Sequence, residues 1–149
     1  MSESTREPPP GRDHFAHFAA LGTRWLDNDV YGHINNIVYY AYFDTVVNEY
    51  LMTAAGCDIR QLPQLGVVAE TGCRYFSSLS FPQKLEVGLA VERLGARSVT
   101  YRLGVFAAGA ATAAALGKFV HVYVDAHSRR PTDVPPCIRD AVAALQLKD

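Results

Sequence analysis

A long apolar segment without glycine or proline constrains the fold most strongly. It covers residues 37–52, which are mostly aromatic or β-branched, a composition that strands also favour. Its sixteen residues exceed the usual length of a strand, so we predict a helix. Apolar side chains occur around most of its circumference, which indicates a helix enclosed on nearly all sides. We expect Asn35 or Asn36 to cap its start and Gly56 to end it.

Beyond this helix the hydrophobic period changes to two. Apolar residues alternate with polar or small ones over 85–92 and 98–105, and Gly95-Ala96 marks a turn between these segments. Weaker patterns predict strands at 15–25, 67–76 and 119–125, and a short helix at 138–147. This order predicts an α+β fold in which a curved antiparallel sheet wraps around the long central helix.

Length and composition limit the classes of protein that remain. A chain of 149 residues with 49% hydrophobic and 19% charged residues is typical of one globular domain, which we place at residues 14–149. The net charge of -1 does not indicate the excess of basic residues that binding to nucleic acid or an anionic membrane requires. No segment reaches the roughly 20 apolar residues that span a bilayer. Residues 1–13 carry a proline run and no secretory signal, so we predict a disordered tail.

The cysteines point to a reducing compartment. Cys57, Cys73 and Cys137 are odd in number and widely spaced, and they form no C-x-x-C pair. We therefore predict neither a disulfide nor a zinc site, but three small buried side chains. A cytoplasmic location follows from this prediction.

A polar, turn-rich segment precedes the helix. Residues 27–36 read DNDVYGHINN and are followed by Tyr39 and by YFD at 42–44. This D-x-D-x-x-G-H-x-N-N string resembles the signature of the hotdog-fold acyl-CoA thioesterases of the 4-hydroxybenzoyl-CoA thioesterase type. The resemblance in element order covers about 15–130, with a second, looser match at 74–82.

The resemblance implies a hotdog fold, an acyl-CoA substrate and two catalytic groups. It assigns Asp29 as general base or nucleophile, and the backbone N–H of Asn36 as donor to the thioester carbonyl oxygen. The physical chemistry agrees, because thioester hydrolysis needs an activated water or carboxylate and a donor for the developing oxyanion. Gly32 permits a close approach of the backbone to substrate, and the helix N-terminus favours negative charge.

Several residues of this segment keep a second interpretation. Asp27 is expected to be structural, and the side chains of Asn35 and Asn36 to form caps or turns, with Asn35 also contacting substrate. His33 either acts in acid–base chemistry or positions its neighbours. Asp27, Asp29 and His33 could together hold a metal, but the other histidines form no H-x-x-x-H pattern, so we expect no metal and no cofactor.

Coenzyme A carries phosphates, so basic residues should surround the entrance of the site. We expect substrate contacts from Tyr39 and from a set of arginines and a lysine, any of which could instead be a solvated surface charge: Arg74, Arg97, Lys118, Arg129 and Arg130.

Other functions and an assembly remain to be tested. A hotdog dehydratase or hydratase would use a histidine paired with an acid on the central helix, whereas His33 precedes the helix. A non-catalytic acyl-CoA sensor is the alternative outside enzymes. A sheet with unpaired edges, and with Phe119, His121 and Tyr123 on one face of a strand, predicts a homodimer or homotetramer.

Overall fold

The computed structural model describes residues 7–147. Its regular elements, apart from two short 3-10 turns, are β1 (His17–Gly22), α1 (Val38–Ala54), β2 (Gln64–Tyr75), β3 (Lys84–Leu94), β4 (Ser98–Ala107), β5 (Ala115–Asp125) and α2 (Pro136–Ala143). The five strands form one antiparallel sheet in the order β1-β3-β4-β5-β2. Helix α1 packs one face against this sheet, which confirms the predicted α+β arrangement. The prediction that the helix is enclosed on nearly all sides is wrong within one subunit, because Ala41, Asp44, Thr45 and Glu49 are exposed on its other face.

Alternation along the central strands places the core as predicted. Val87 and Leu89 of β3 and Val99 and Tyr101 of β4 are fully buried. Strand β5 contacts the helix at Gly117, where a Cβ atom would collide with the ring of Phe43. Glycine at this position therefore lets the sheet and the helix approach each other.

The helix starts without the predicted asparagine cap. Ile37 occupies the N-cap position and makes no side-chain cap, so the prediction of Asn35 or Asn36 at this position is wrong. Asn35 instead accepts a hydrogen bond from the Ile37 backbone N–H at 3.2 Å and so closes a turn before the helix. At the other end, Gly56 follows the C-cap with a φ of +68°, as expected of a helix stop.

The segment before β1 packs on the outer face of the sheet. The Ala113 N–H donates to the Pro10 carbonyl at 2.9 Å, and Arg12 contacts Glu86 at 2.8 Å. Phe15 packs over Gly88 and Gly104, which lie opposite each other in β3 and β4. The predicted tail is therefore wrong for residues 10–13, because these contacts require tertiary structure. The prediction for residues 1–6 lies outside the described residues.

Two cysteines form a disulfide, so the prediction that the chain has none is wrong. Cys57 follows α1 and Cys137 lies in α2, and folding brings their Cα atoms to 6.7 Å across a separation of 80 residues. Cys73 is free, and burial raises the pKa of its thiol to about 11, which favours an inert thiol. The pairing removes the cysteine argument for a reducing compartment, and the cytoplasmic location stays a prediction. None of the helices within residues 7–147 has the length and apolarity needed to cross a membrane.

Candidate active site

A buried carboxylate anchors the segment between β1 and α1. Asp27 is 0% exposed and accepts hydrogen bonds from the Arg24 backbone N–H at 2.9 Å, the Arg24 Nε at 2.9 Å and the Tyr42 hydroxyl at 2.7 Å. Burial raises the pKa of Asp27, but the hydrogen bonds from Tyr42 and Arg24 outweigh it and hold the pKa below its ordinary value. Asp27 therefore remains ionised and ties the segment to α1.

Asp29 lies in a tight turn with one carboxylate oxygen uncommitted. Its backbone N–H donates to the His33 carbonyl at 2.8 Å, and its Oδ1 accepts from the backbone N–H groups of Tyr31 at 2.8 Å and His33 at 3.3 Å. Gly32 has a φ of +81°, which is strained for any residue with a side chain. No residue of the range 7–147 donates to Oδ2 or forms an ion pair with Asp29. One oxygen is thus held in place and the other is available to a reactant.

The start of the helix presents an unused donor. The Asn36 backbone N–H has no acceptor among the described residues, and Asn36 is exposed. Its carbonyl oxygen accepts a hydrogen bond from the Tyr75 hydroxyl at 2.8 Å, which ties the following peptide, between Asn36 and Ile37, to the end of β2. A free N–H at the positive end of a helix is suited to bind a developing oxyanion.

A cavity of about 230 Å³ opens at this position. It is lined by His33, Asn36, Tyr39 and Tyr75, together with residues 76–78. The rings of Tyr39 and Tyr75 lie 5.0 Å apart in an edge-on arrangement. Burial, with a smaller contribution from Cys73, raises the pKa of Tyr39 to about 12, so its phenol is neutral at pH 7. The cavity is therefore a partly aromatic pocket with one backbone donor.

The structure brings some of the predicted site residues together and leaves others apart. His33, Asn36 and Tyr39 line the cavity, and Asp29 and Gly32 belong to the turn that ends at His33. Asn35 does not line the cavity, and its backbone N–H donates to the Asp27 carbonyl at 2.8 Å. The basic candidates lie elsewhere within the subunit: Arg74 and Lys118 line a second cavity, Arg97 lies near Asp133, and Arg129 and Arg130 follow β5.

Sequence reasoning missed the groups that support the site from other elements. Tyr75 fixes Asn36, and the Ser80 hydroxyl donates to the Gly32 carbonyl at 2.8 Å. Both residues fall in the second, looser match at 74–82, which carried the available signal. Among the described residues, no three histidine, cysteine or acidic side chains cluster as metal ligands would. The absence of a metal or cofactor stays a prediction.

The fold and this site define a thioesterase-like protein. The family model described as the thioesterase-like superfamily matches residues 23–142, which include the turn, the helix and the whole sheet after β1. The chain belongs to this superfamily, and membership supports hydrolysis of a thioester as its class of reaction. No curated protein matches the chain at a significant level.

Solved structures share this fold. The PA5185 protein from Pseudomonas aeruginosa is 50% identical, with 93% of this chain and 97% of that chain covered and a TM-score of 0.90. A 1,4-dihydroxy-2-naphthoyl-CoA thioesterase from Synechocystis is 12% identical over 85% of this chain and 94% of its own, with a TM-score of 0.77. A DHNA-CoA thioesterase from Staphylococcus aureus is 17% identical over 85% and 87%, with a TM-score of 0.75. The two distant likenesses bear on the fold alone, and the predicted hotdog fold is confirmed.

Proposed function

We propose that this protein hydrolyses acyl-CoA thioesters to the free acid and coenzyme A, with Asp29 as the catalytic carboxylate. One observation carries the proposal. The carboxylate of Asp29 has an uncommitted oxygen, and the Asn36 N–H has no acceptor in the described chain. The turn that holds Asp29 ends at His33, which lines the cavity together with Asn36. These are the two groups that thioester hydrolysis requires.

The carboxylate can act in either of two ways. As a general base, Asp29 takes a proton from water while the water oxygen attacks the thioester carbon. As a nucleophile, Asp29 itself attacks, expels the thiolate and forms a mixed anhydride that water then hydrolyses. In both routes the Asn36 N–H stabilises the oxyanion, and the products are a carboxylic acid and a thiol. The thiolate leaves without strong assistance, because its conjugate acid has a pKa of about 8.5.

Substrate contacts follow from the cavity and the surface charges. Tyr39 and Tyr75 offer an aromatic surface to the group next to the thioester, and a 4-hydroxybenzoyl-type substrate is one candidate. We assign the coenzyme A phosphates to Arg74, Arg129 and Arg130, none of which lines this cavity in its own subunit. Asn35 and His33 act as positioning residues in this proposal.

An exposed strand edge supports a homo-oligomer. Strand β2 pairs with β5 on one side and ends the sheet on the other, and Val67 and Val68 are 38% and 49% exposed. An unpaired edge of this length invites a second strand. We propose a homodimer in which two β2 strands pair about a two-fold axis. Two such dimers would form the homotetramer. Antiparallel pairing would bring Tyr75 of each site towards the other subunit.

Light scattering tests this assembly. The chain is expected to have the mass of a dimer or tetramer at micromolar concentration, and Val68→Lys, which places a charge on the edge, should lower that mass. An active wild-type monomer would contradict the proposal. The residues Phe119, His121 and Tyr123 do not contribute to such a contact, because they are buried inside the subunit.

A thiol-release assay with a panel of acyl-CoA esters tests the chemistry. Asp29→Asn keeps the volume of the side chain but removes its basicity, so kcat should fall by roughly 10²- to 10⁴-fold while KM changes little. Asp13→Asn is the matched control, because that carboxylate is 91% exposed and lies outside the site. Thermal unfolding of both variants separates a catalytic loss from a loss of stability.

The assay also separates the alternative functions. A sensor would bind the esters without releasing thiol, and a dehydratase or hydratase would change the mass of the acyl group without releasing thiol. If Asp29→Asn hydrolyses every active ester at close to the wild-type rate, Asp29 is not the catalytic carboxylate and His33 becomes the next residue to substitute.

A further inference from the structure

A third cavity, distinct from the one beside Asn36 and from the one lined by Arg74 and Lys118, lies at the opposite end of the helix. It has a volume of about 200 Å³ and is enclosed by the second half of α1, the start of β2, the end of β5 and α2. The residues that decide its chemistry are Asn48, Leu51, Leu62, His121 and Ile138. It shares no lining residue with the cavity beside Asn36. It is therefore a separate site with walls of its own.

A buried polar side chain without a partner lines this cavity. His121 is 3% exposed, and its Nδ1 accepts or donates no hydrogen bond within the described part of the chain. The hydroxyl of Tyr101, on the neighbouring strand, is unpaired in the same way, and the two rings lie 5.8 Å apart. Buried polar groups almost always have partners, and leaving one unpaired is costly. Tyr101 does not line the cavity, so His121 is the one of these two side chains to which a bound molecule could supply the missing partner.

The charge state of His121 restricts what that group can be. Burial lowers the pKa of His121 to about 4, against a smaller opposing effect of Asp44. At pH 7 the imidazole is therefore neutral and offers one N–H and one lone pair. Arg60 is the one charged side chain among the cavity-lining residues, and its guanidinium is already bound to Asp58 at 3.0 and 3.2 Å. The cavity has no uncommitted charge for an ionic ligand.

We propose that this cavity binds a small neutral molecule of the phenol class, whose ring packs among Leu51, Leu62 and Ile138 while its hydroxyl pairs with His121. The size supports this class, because an apolar protein cavity of about 150 Å³ holds benzene. A phenol is uncharged at pH 7, since its pKa is about 10. Its hydroxyl both donates and accepts, which suits a neutral imidazole of either tautomer.

The disulfide links two segments that flank this cavity. Cys57 precedes the residues of the rim that include Leu62, and Cys137 is followed directly by Ile138 of the wall. The bond therefore ties two walls of the cavity together across 80 residues. Small-molecule sites are usually largely formed before the ligand binds. The site is independent of the thioester chemistry proposed for Asp29.

Calorimetric titration of the full chain with phenol and with toluene tests the proposal. The two probes have similar shape and differ in the hydroxyl, so phenol should bind about tenfold more tightly through one net hydrogen bond. His121→Phe should keep toluene binding and lose the preference for phenol. Leu62→Trp, at a half-buried position of the rim, should fill the cavity and abolish the binding of both probes.

His127→Phe is the matched control, because His127 is exposed and lies outside the cavity. It should bind both probes as the wild type does. The proposal is overturned if the wild-type protein shows no saturable phenol binding, or binds phenol and toluene equally. It is also overturned if Leu62→Trp still binds phenol. The wild-type comparison and Leu62→Trp keep the test decisive even if His121→Phe does not fold.

Discussion

The buried carboxylate of Asp27 makes a quantitative prediction about stability. Tyr42→Phe keeps the ring but removes the hydroxyl that donates to Asp27 at 2.7 Å. Only Arg24 then remains as a donor, and its side chain is 72% exposed. A hydrogen bond to a charged group contributes about 1.5–3 kcal/mol, so the free energy of unfolding should fall by about 2 kcal/mol. Tyr31→Phe is the control, because Tyr31 is 82% exposed.

Urea unfolding at one fixed protein concentration measures this difference, since an oligomer's stability depends on concentration. The pH dependence supplies a second test. The pKa of Asp27 is held below its ordinary value of 3.8, so its contribution is present above pH 3.8 and is lost as the pH falls through the lower folded value. The difference between Tyr42→Phe and wild type should therefore be largest near neutrality and shrink in acid. A loss no greater than that of Tyr31→Phe would refute the anchoring role.

Two further substitutions test contacts described above. Tyr75→Phe frees the Asn36 carbonyl and should lower kcat for thioester hydrolysis by about tenfold with little change in the melting temperature, because a hydrogen bond that holds the residue bearing the oxyanion donor is lost. An unchanged kcat would contradict this role. Gly117→Ala forces a Cβ atom against Phe43 and should lower the free energy of unfolding by about 1–3 kcal/mol, measured by chemical unfolding. Gly72→Ala is the control, because a Cβ atom there meets nothing within 4 Å. Equal losses in the two variants would show that the close approach at Gly117 is unimportant.

Local hydrophobic periodicity and segment length predicted most elements of the fold. The strand predicted over 85–92 is β3, and the helix predicted over 37–52 is α1, because alternation and segment length are properties of neighbouring residues. The first and last residues of the elements were predicted less accurately. Strand β1 is His17–Gly22 rather than 15–25, because Phe15 leaves the strand to pack on the outer face and Trp25 begins a 3-10 turn. Helix α2 begins at Pro136, two residues earlier than predicted, since proline suits a first helical turn.

The candidate site was predictable only where its parts are close in sequence. The turn at Asp29 and the start of α1 lie within one short string, and the resemblance named both. Tyr75 approaches Asn36 from 39 residues away, and Cys57 meets Cys137 across 80 residues. Such contacts depend on the pairing of distant strands and helices, which no local spacing specifies.

The two edges of the sheet differ in a way that limits growth of the proposed assembly. Strand β2 has twelve residues and β1 at the far edge has six. If two β2 strands pair with each other, both long edges are consumed in one contact, and only the two short edges remain at the ends of a ten-stranded sheet. A chain of molecules that joins β1 to β2 would gain about half the backbone hydrogen bonds per contact. This length difference therefore favours a closed pair over a fibre, so the same exposed edge that recruits a partner also protects the protein against open-ended aggregation.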